Sequence, residues 1–259
     1  MLTDAEIDGF VRDGFVRIDE AFPKALAAAA RDILWRDTEV DRNDRRTWTR
    51  PVIRLGGYSD PPFVEAANTP RLREAYDQLV GKGKWLSPGG LGTFPVRFPS
   101  RRNPGDAGWH IDVSFPDKDP NDILTYRANI ACKGRVLLML FLFSDIGRQD
   151  APTRIRVGSH KIVARLLARA GEHGLPAGLD GQVGWTRFCR QKLATGPAGT
   201  VYLCHPFLVH AAQKHRGTEA RFLAHPPLQP VHPFDLSKPD PDAPPVERAS
   251  RAAVARALR

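Results

Sequence analysis

Apolar positions recur at helical spacing through the first third of the chain and at shorter, strand-like spacing after it. Thr3 to Arg12 opens with a Thr cap and an acidic first turn, and Pro23 to Arg36 is rich in alanine, so both stretches predict helices. Pro61-Pro62 opens a third helix over Phe63 to Leu79. Short apolar runs bounded by Gly, Pro, Asn and Asp then predict strands at about 91–98, 108–115, 126–132, 136–144, 153–157, 199–204, 208–212 and 219–225. An amphipathic helix, Gly158 to Gly171 with Ser159 as its cap, interrupts them. Strands that follow one another mostly without helices between them argue for a mainly β chain with flanking helices and a double-stranded β-helix, or jelly-roll, core rather than a parallel α/β sheet. One domain over 1–259 results: a helical part at 1–85, the jelly-roll core at 86–228, and a loop and helix at 229–259. In that last part a Pro- and Asp-rich loop from Pro233 to Pro245 precedes a basic helix from about Val246 to Leu258, which covers the barrel mouth, mediates dimer contact, or is solvated.

Composition narrows the class. At 259 residues with 42% hydrophobic residues the chain is long enough for one well-buried domain. Its longest apolar run, Val136 to Phe143, is too short to cross a bilayer, and the N-terminus has no basic region followed by an apolar core, so a cytoplasmic protein without a membrane partner is expected. Cys132, Cys189 and Cys204 cannot all pair and have no close metal-binding spacing, which fits buried thiols in a reducing compartment. The net charge of +9 comes from 38 Lys and Arg spread along the chain rather than clustered in a basic arm. A solvated basic surface is therefore expected in place of a nucleic-acid platform, and it can steer an acidic metabolite.

The chemistry concentrates in Gly108-Trp-His-Ile-Asp-Val-Ser-Phe115. In a strand, residues i and i+2 share a face, so His110 and Asp112 can grip one cation while Ile111 points away. A third ligand is offered by Gly199-Thr-Val-Tyr-Leu-Cys-His-Pro-Phe-Leu-Val-His210, where His205 and His210 compete. Pro206 biases His205 toward a turn, whereas His210 sits in the returning strand; His210 is taken as the ligand and His205 as structural. Two imidazoles and one carboxylate leave open positions on a metal, the facial arrangement of non-haem iron(II) oxygenases. Further on, Arg221, Leu223 and His225 alternate onto one strand face. An arginine directed into a small barrel asks for a buried anion, and the remote carboxylate of 2-oxoglutarate matches a guanidinium fork; the alternative is a solvent-facing arginine on an edge strand.

These motifs together resemble the phytanoyl-CoA dioxygenase family of Fe(II)- and 2-oxoglutarate-dependent oxygenases, in a bacterial form. The resemblance begins with Leu2-Thr-Asp-Ala-Glu-Ile-Asp-Gly-Phe-Val-Arg-Asp-Gly-Phe-Val-Arg-Ile-Asp, similar to the family's opening helix and strand, and runs through Gly108 to Asp112, Leu137 to Asp145, Ala151 to His160 and the block from His210 to Arg221. It implies His110, Asp112 and His210 as iron ligands and Arg221 as the holder of the distal carboxylate of 2-oxoglutarate, with O2 as the second cosubstrate. Ala212 stands where family members often carry a hydroxyl residue, so Thr153 and Arg97 become candidates for the remaining cosubstrate contacts, while His225 has no assigned partner. The implied reaction oxidises a small organic molecule, with Asp112 favouring hydroxylation over halogenation, and releases succinate and CO2; desaturation, ring closure and epimerisation stay open. A cupin-like metal isomerase or hydrolase and a non-catalytic metal-binding barrel are the other readings. Trp48, Arg54, Trp85, Trp109, Phe115 and Trp185 are candidate pocket residues, and the protein is expected to be a monomer or homodimer.

Overall fold

A computed structural model describes residues 1–117, 119–237 and 240–257. Its first helix, α1 (Asp4–Asp13), starts in a capping box: the Thr3 hydroxyl accepts the Glu6 N–H while the Glu6 carboxylate accepts the Thr3 N–H. Gly14 ends α1 at φ 89°, where a Cβ would lie 2.5 Å from the ring of His160, so the chain can turn there only with glycine. Strand β1 (Phe15–Ile18) follows, then α2 (Lys24–Asp37), which buries Ala27, Ala30 and Leu34. Next come β2 (Val52–Leu55), α3 (Pro61–Ala67), α4 (Pro70–Val80) and β3 (Phe94–Arg97). The core elements are β4 (Leu137–Leu142), β5 (Arg154–Arg156), α5 (Ser159–Ala170), β6 (Gln191–Leu193), β7 (Val201–Cys204), β8 (His210–Ala211), β9 (Leu223–Ala224) and β10 (Pro227–Leu228), and α6 (Arg248–Ala257) comes last.

The strands form one antiparallel sheet in the order β1-β7-β4-β10, with β9 also pairing β4, a second in the order β6-β5-β8, and the β2-β3 pair. Period-2 alternation divides β4 between two layers. Leu137, Met139 and Phe141 pack with the helices around Phe10, Ala27 and Phe63, while Leu138, Leu140 and Leu142 point toward the second sheet, against Ile155, Tyr202 and Leu208. Because both of its faces are covered, β4 reads as an unbroken apolar run. The sheets do not close into a continuous barrel; isolated bridges, among them Arg97 with Arg221, His110 with His210 and Ile146 with Gly196, link their margins.

Several expected elements differ. The helix over Phe63 to Leu79 is two helices, because Pro70 has no N–H and disfavours a helical Thr69, whose hydroxyl instead caps Leu72. Ser159 is not a cap: Gly158 occupies that position, and Ser159 Oγ accepts the N–H of Val209. No strand forms over 108–115, since successive residues change partner: His110 bonds to His210, Ile111 to Ala177, and Ser114 and Phe115 to Arg127. The 126–132 segment likewise makes only single bridges before turning at Cys132, φ 55°. Strands β2, β6 and β10 lie where none was read from the sequence. Of the C-terminal region, α6 packs Ala249 and Ala253 among the residues of α5, while Lys238, Pro239 and Leu258 lie outside the described residues.

Candidate functional site

Three side chains from one irregular segment and one short strand meet at the margin of the sheets. His110, Asp112 and His210 each present a ligand atom, all within 4.8 Å of one another. Asp112 Oδ1 lies 3.4 Å from His210 Nε2 and 3.9 Å from His110 Nε2. The two histidines are joined main chain to main chain, each N–H bonding the other's carbonyl at 3.0 Å, so their separation is set by backbone pairing. Asp112 does not reach the group by strand alternation as expected; an irregular turn after Ile111, whose side chain is wholly buried, directs it there.

Each imidazole is oriented by its own chain. Nδ1 of His110 donates to the Gly108 carbonyl at 2.9 Å and Nδ1 of His210 to that of Leu208 at 3.0 Å, which leaves Nε2 of both as the lone-pair nitrogen. Arg154 ties the two segments together, its Nη2 donating to Ala107 at 2.8 Å and to Ala212 at 2.9 Å. The ring of Trp109 lies against the guanidinium groups of Arg154 and Arg156, at 4.7 and 4.1 Å. Burial would raise the Asp112 carboxyl, but Arg135 and His210 outweigh it and hold it well below the usual carboxylate range. His210, despite burial, is pushed up by Asp112, and burial with the neighbouring His210 lowers His110.

A second charged group lies on the Arg97–Arg221 bridge. Both side chains are essentially inaccessible, at 2% and 1% exposure, which settles Arg221 as inward-facing rather than on a solvated edge. Arg221 donates to the carbonyls of Ala151 and Pro95, each at 2.8 Å, and Arg97 to Asp106 at 2.6 Å. Arg97 is thus paired with Asp106, itself also paired with the exposed Arg54, while Arg221 makes no ion pair among the described residues, and Nε of each is buried without a hydrogen-bond partner there. Burial and the proximity of Arg97 push the Arg221 guanidinium far down, the mark of a cation in need of an anion. Thr153 is buried, its hydroxyl 3.4 Å from His225 Nε2, and the His225 ring lies 6.3 Å from that of His210.

His205 is structural, as expected, whereas the pocket differs from expectation. His205 lies away from the three-residue group, its ring between those of His160 and Phe207 and its Nε2 donating to the Val246 carbonyl. Next to Asp112 opens a cavity of about 670 Å3 lined by Tyr58, Ser59, Leu91, Thr93, Val113, Arg135 and His225, among others. None of the six residues expected to line a pocket does so here: Trp48 is core, and Trp109 is stacked as described. The wall is made of close-running loops instead; a Cβ on Gly92 would come within 2.5 Å of the Gly57 Cα. Arg135, which was not singled out by any motif, stands beside Asp112 because Gly134 turns at φ 79° against the Ser114 carbonyl.

No protein-family model and no curated protein matches the chain. Solved structures do. HygX from Streptomyces hygroscopicus, with nickel, 2-oxoglutarate and hygromycin B bound, aligns with a TM-score of 0.56 over 89% of this chain and 88% of its own, at 18% identity. The likeness is one of fold. SnoK from nogalamycin biosynthesis, a non-heme alpha ketoglutarate dependent carbocyclase, aligns at 0.54 over 94% and 93%, with 14% identity. EctD from S. alaskensis, with 2-oxoglutarate and 5-hydroxyectoine, aligns at 0.55 over 93% and 82%, with 18% identity. The core is therefore the jelly roll expected from the strand pattern.

Proposed function

We propose that this chain is an iron(II)- and 2-oxoglutarate-dependent oxygenase that oxidises a small organic molecule. The observation that carries the reading is the pair of His110 and His210 Nε2 atoms meeting the Asp112 carboxylate within 4.8 Å at the edge of a cavity. Two neutral nitrogens and one carboxylate oxygen suit iron(II) and keep part of its coordination sphere open. A second support is the under-compensated Arg97–Arg221 pair, which fits the anionic end of a keto acid. Structures of the same fold hold nickel or iron and 2-oxoglutarate.

Iron(II) with 2-oxoglutarate and O2 supplies a strong oxidant, the keto acid leaving as succinate and CO2. The chain's part is placement. His110 and His210, locked through their Nδ1–H bonds, and Asp112 would hold the metal beside the cavity. Arg221 holds the remote carboxylate of the keto acid, and Arg97 keeps that corner positive; Thr153 offers a buried hydroxyl near it in place of the one that Ala212 lacks. The substrate enters the 670 Å3 cavity, of the size that suits a small metabolite, and hydroxylation is its simplest outcome. The protein acts in the cytoplasm on such a small molecule, without nucleic acid or membrane as a partner, as a monomer or homodimer.

Succinate formation from 2-oxoglutarate under iron(II) and O2 tests the reading. Wild type is expected to form succinate, with more in the presence of a bound small-molecule substrate, and His210→Ala to form none. Equal, background-level succinate from both proteins would contradict it.

A further inference from the structure

The cavity beside Asp112 contains a cation that the metal and cosubstrate leave over. Arg135 lines it, with a side chain 11% exposed. One terminal nitrogen, Nη1, faces Asp112 Oδ2 at 3.0 Å as an ion pair, but among the described residues the side chain makes no hydrogen bond, and Nε and Nη1 are both buried without a hydrogen-bond partner there. A guanidinium has five N–H donors, and burying them with one ion-pair contact is unfavourable unless something else completes them. Arg135 is also held in place: Gly134 at φ 79° packs against the Ser114 carbonyl, so the loop directs the side chain at Asp112 and into the cavity.

Charge points the same way. Set a doubly charged metal, Arg97, Arg135 and Arg221 against Asp106, Asp112 and a dianionic keto acid, and one positive charge remains. The remainder falls in the cavity, since Arg97 and Arg221 have Asp106 and the remote carboxylate, and Asp112 is engaged by the metal. Around Arg135 the walls carry no charged side chain apart from Asp112, and Leu91, Val113, Pro226 and Pro227 supply apolar surface.

We propose that the substrate is a small organic anion, its carboxylate or phosphate bound by Arg135 and its hydrocarbon part lying along the apolar walls toward the metal site. This rests on the oxygenase reading above and adds the substrate's chemical class to it. Arg135 then fixes which C–H bond lies nearest the metal, as a charged anchor at a set distance from Asp112.

The test is calorimetric titration of the full chain, with Ni(II) and 2-oxoglutarate present, using three probes: hexanoate, hexyl phosphate and the neutral hexanamide. At least one anion is expected to bind 10- to 100-fold more tightly than the amide, roughly the worth of a hydrogen-bonded charge. The preference should vanish in Arg135→Gln and persist in Arg135→Lys and in Arg221→Leu. Whichever anion wins identifies carboxylate or phosphate as the recognised group. Equal binding of anions and amide, no binding of either anion, or a preference that survives Arg135→Gln overturns the proposal. Titrating 2-oxoglutarate alone separates the two claims: absence of its binding to wild type with the anion preference intact contradicts the cosubstrate reading and leaves Arg135 as an anion anchor.

Discussion

Arg221 is joined main chain to main chain with Arg97 across an antiparallel bridge, and both guanidinium groups are buried, Arg97 paired with Asp106 and Arg221 bonded only to backbone carbonyls. Such a pair is stable only if a further anion is drawn to it. Arg221→Leu removes the fork and keeps apolar bulk, so it should weaken 2-oxoglutarate binding by about 30- to 5,000-fold, on the order of 2 to 5 kcal/mol, while metal affinity is retained. Lysine should restore binding only in part, since a point charge cannot form two parallel hydrogen bonds. Equilibrium dialysis of labelled 2-oxoglutarate against each variant measures this, and equal affinity in wild type and Arg221→Leu would remove Arg221 from the cosubstrate site.

Arg154 carries a different prediction because it touches no ligand atom of the three-residue group. Its bonds to Ala107 and Ala212 brace the segments bearing His110 and His210. Arg154→Met keeps the length and apolar stem and loses both bonds. Metal affinity should fall about 10- to 100-fold, as it does when supporting contacts of metal ligands are removed, with far-UV circular dichroism unchanged. An unchanged metal dissociation constant would show that the His110–His210 backbone pairing suffices by itself.

The histidine pair behind the sheet gives the pH dependence. The rings of His160 and His205 lie 4.9 Å apart, tilted to each other, and burial lowers both, His160 to about 4 from an ordinary 6.5 and His205 well below it. The unfolded chain therefore binds protons that the folded chain refuses between about pH 6.5 and 4, and stability must fall as pH drops through that window. Each kcal/mol lost lowers Tm by about 2 to 4 °C in a chain of this size. Thermal melts across the window should show the decline, and His160→Gln, which titrates no proton, should make it shallower, His205 and the similarly lowered His215 supplying the rest. Identical slopes in wild type and variant would mean that His160 does not fold neutral.

Much of this architecture is legible in the sequence, and the failures have local causes. Helices α1 and α2 are readable because capping and alanine content act within a few residues, as at Thr3 with Glu6. Strand β4 is readable because both faces are buried and every residue is apolar. By contrast, His110 and Asp112 come together without a strand, since Ile111 bonds to Ala177 and the pairing partner changes at each step. Only the long-range fold decides that. Arg221 was placed inward by alternation with Leu223, and its burial agrees. Arg135 had no signal: it precedes an apolar strand in an ordinary Lys-Gly-Arg turn, and its meaning comes from lying 3.0 Å from a residue far away in sequence. Aromatic side chains were a poor guide to the cavity because most of them are needed in the core, where Trp48 packs with Trp35 and Phe98.

The choice of His210 over His205 can be separated from fold stability. His205→Ala removes the bond to Val246 and leaves a cavity between His160 and Phe207, so it should lower Tm with metal binding intact. His110→Ala and His210→Ala should each abolish tight metal binding at little change in Tm, since each removes one of three ligands at the margin of the core. Metal analysis of the folded variants, run beside their melts, distinguishes the two classes; iron retained by His210→Ala and lost by His205→Ala would reverse the assignment.

Anaerobic titration of 2-oxoglutarate into the iron(II)-loaded protein tests whether one site binds both iron(II) and a keto acid. A metal-to-ligand charge-transfer absorption should grow to saturation in wild type, require far more 2-oxoglutarate in Arg221→Leu, and be missing in His110→Ala and His210→Ala. No band in the wild-type protein at any 2-oxoglutarate concentration, with iron bound, would contradict the account.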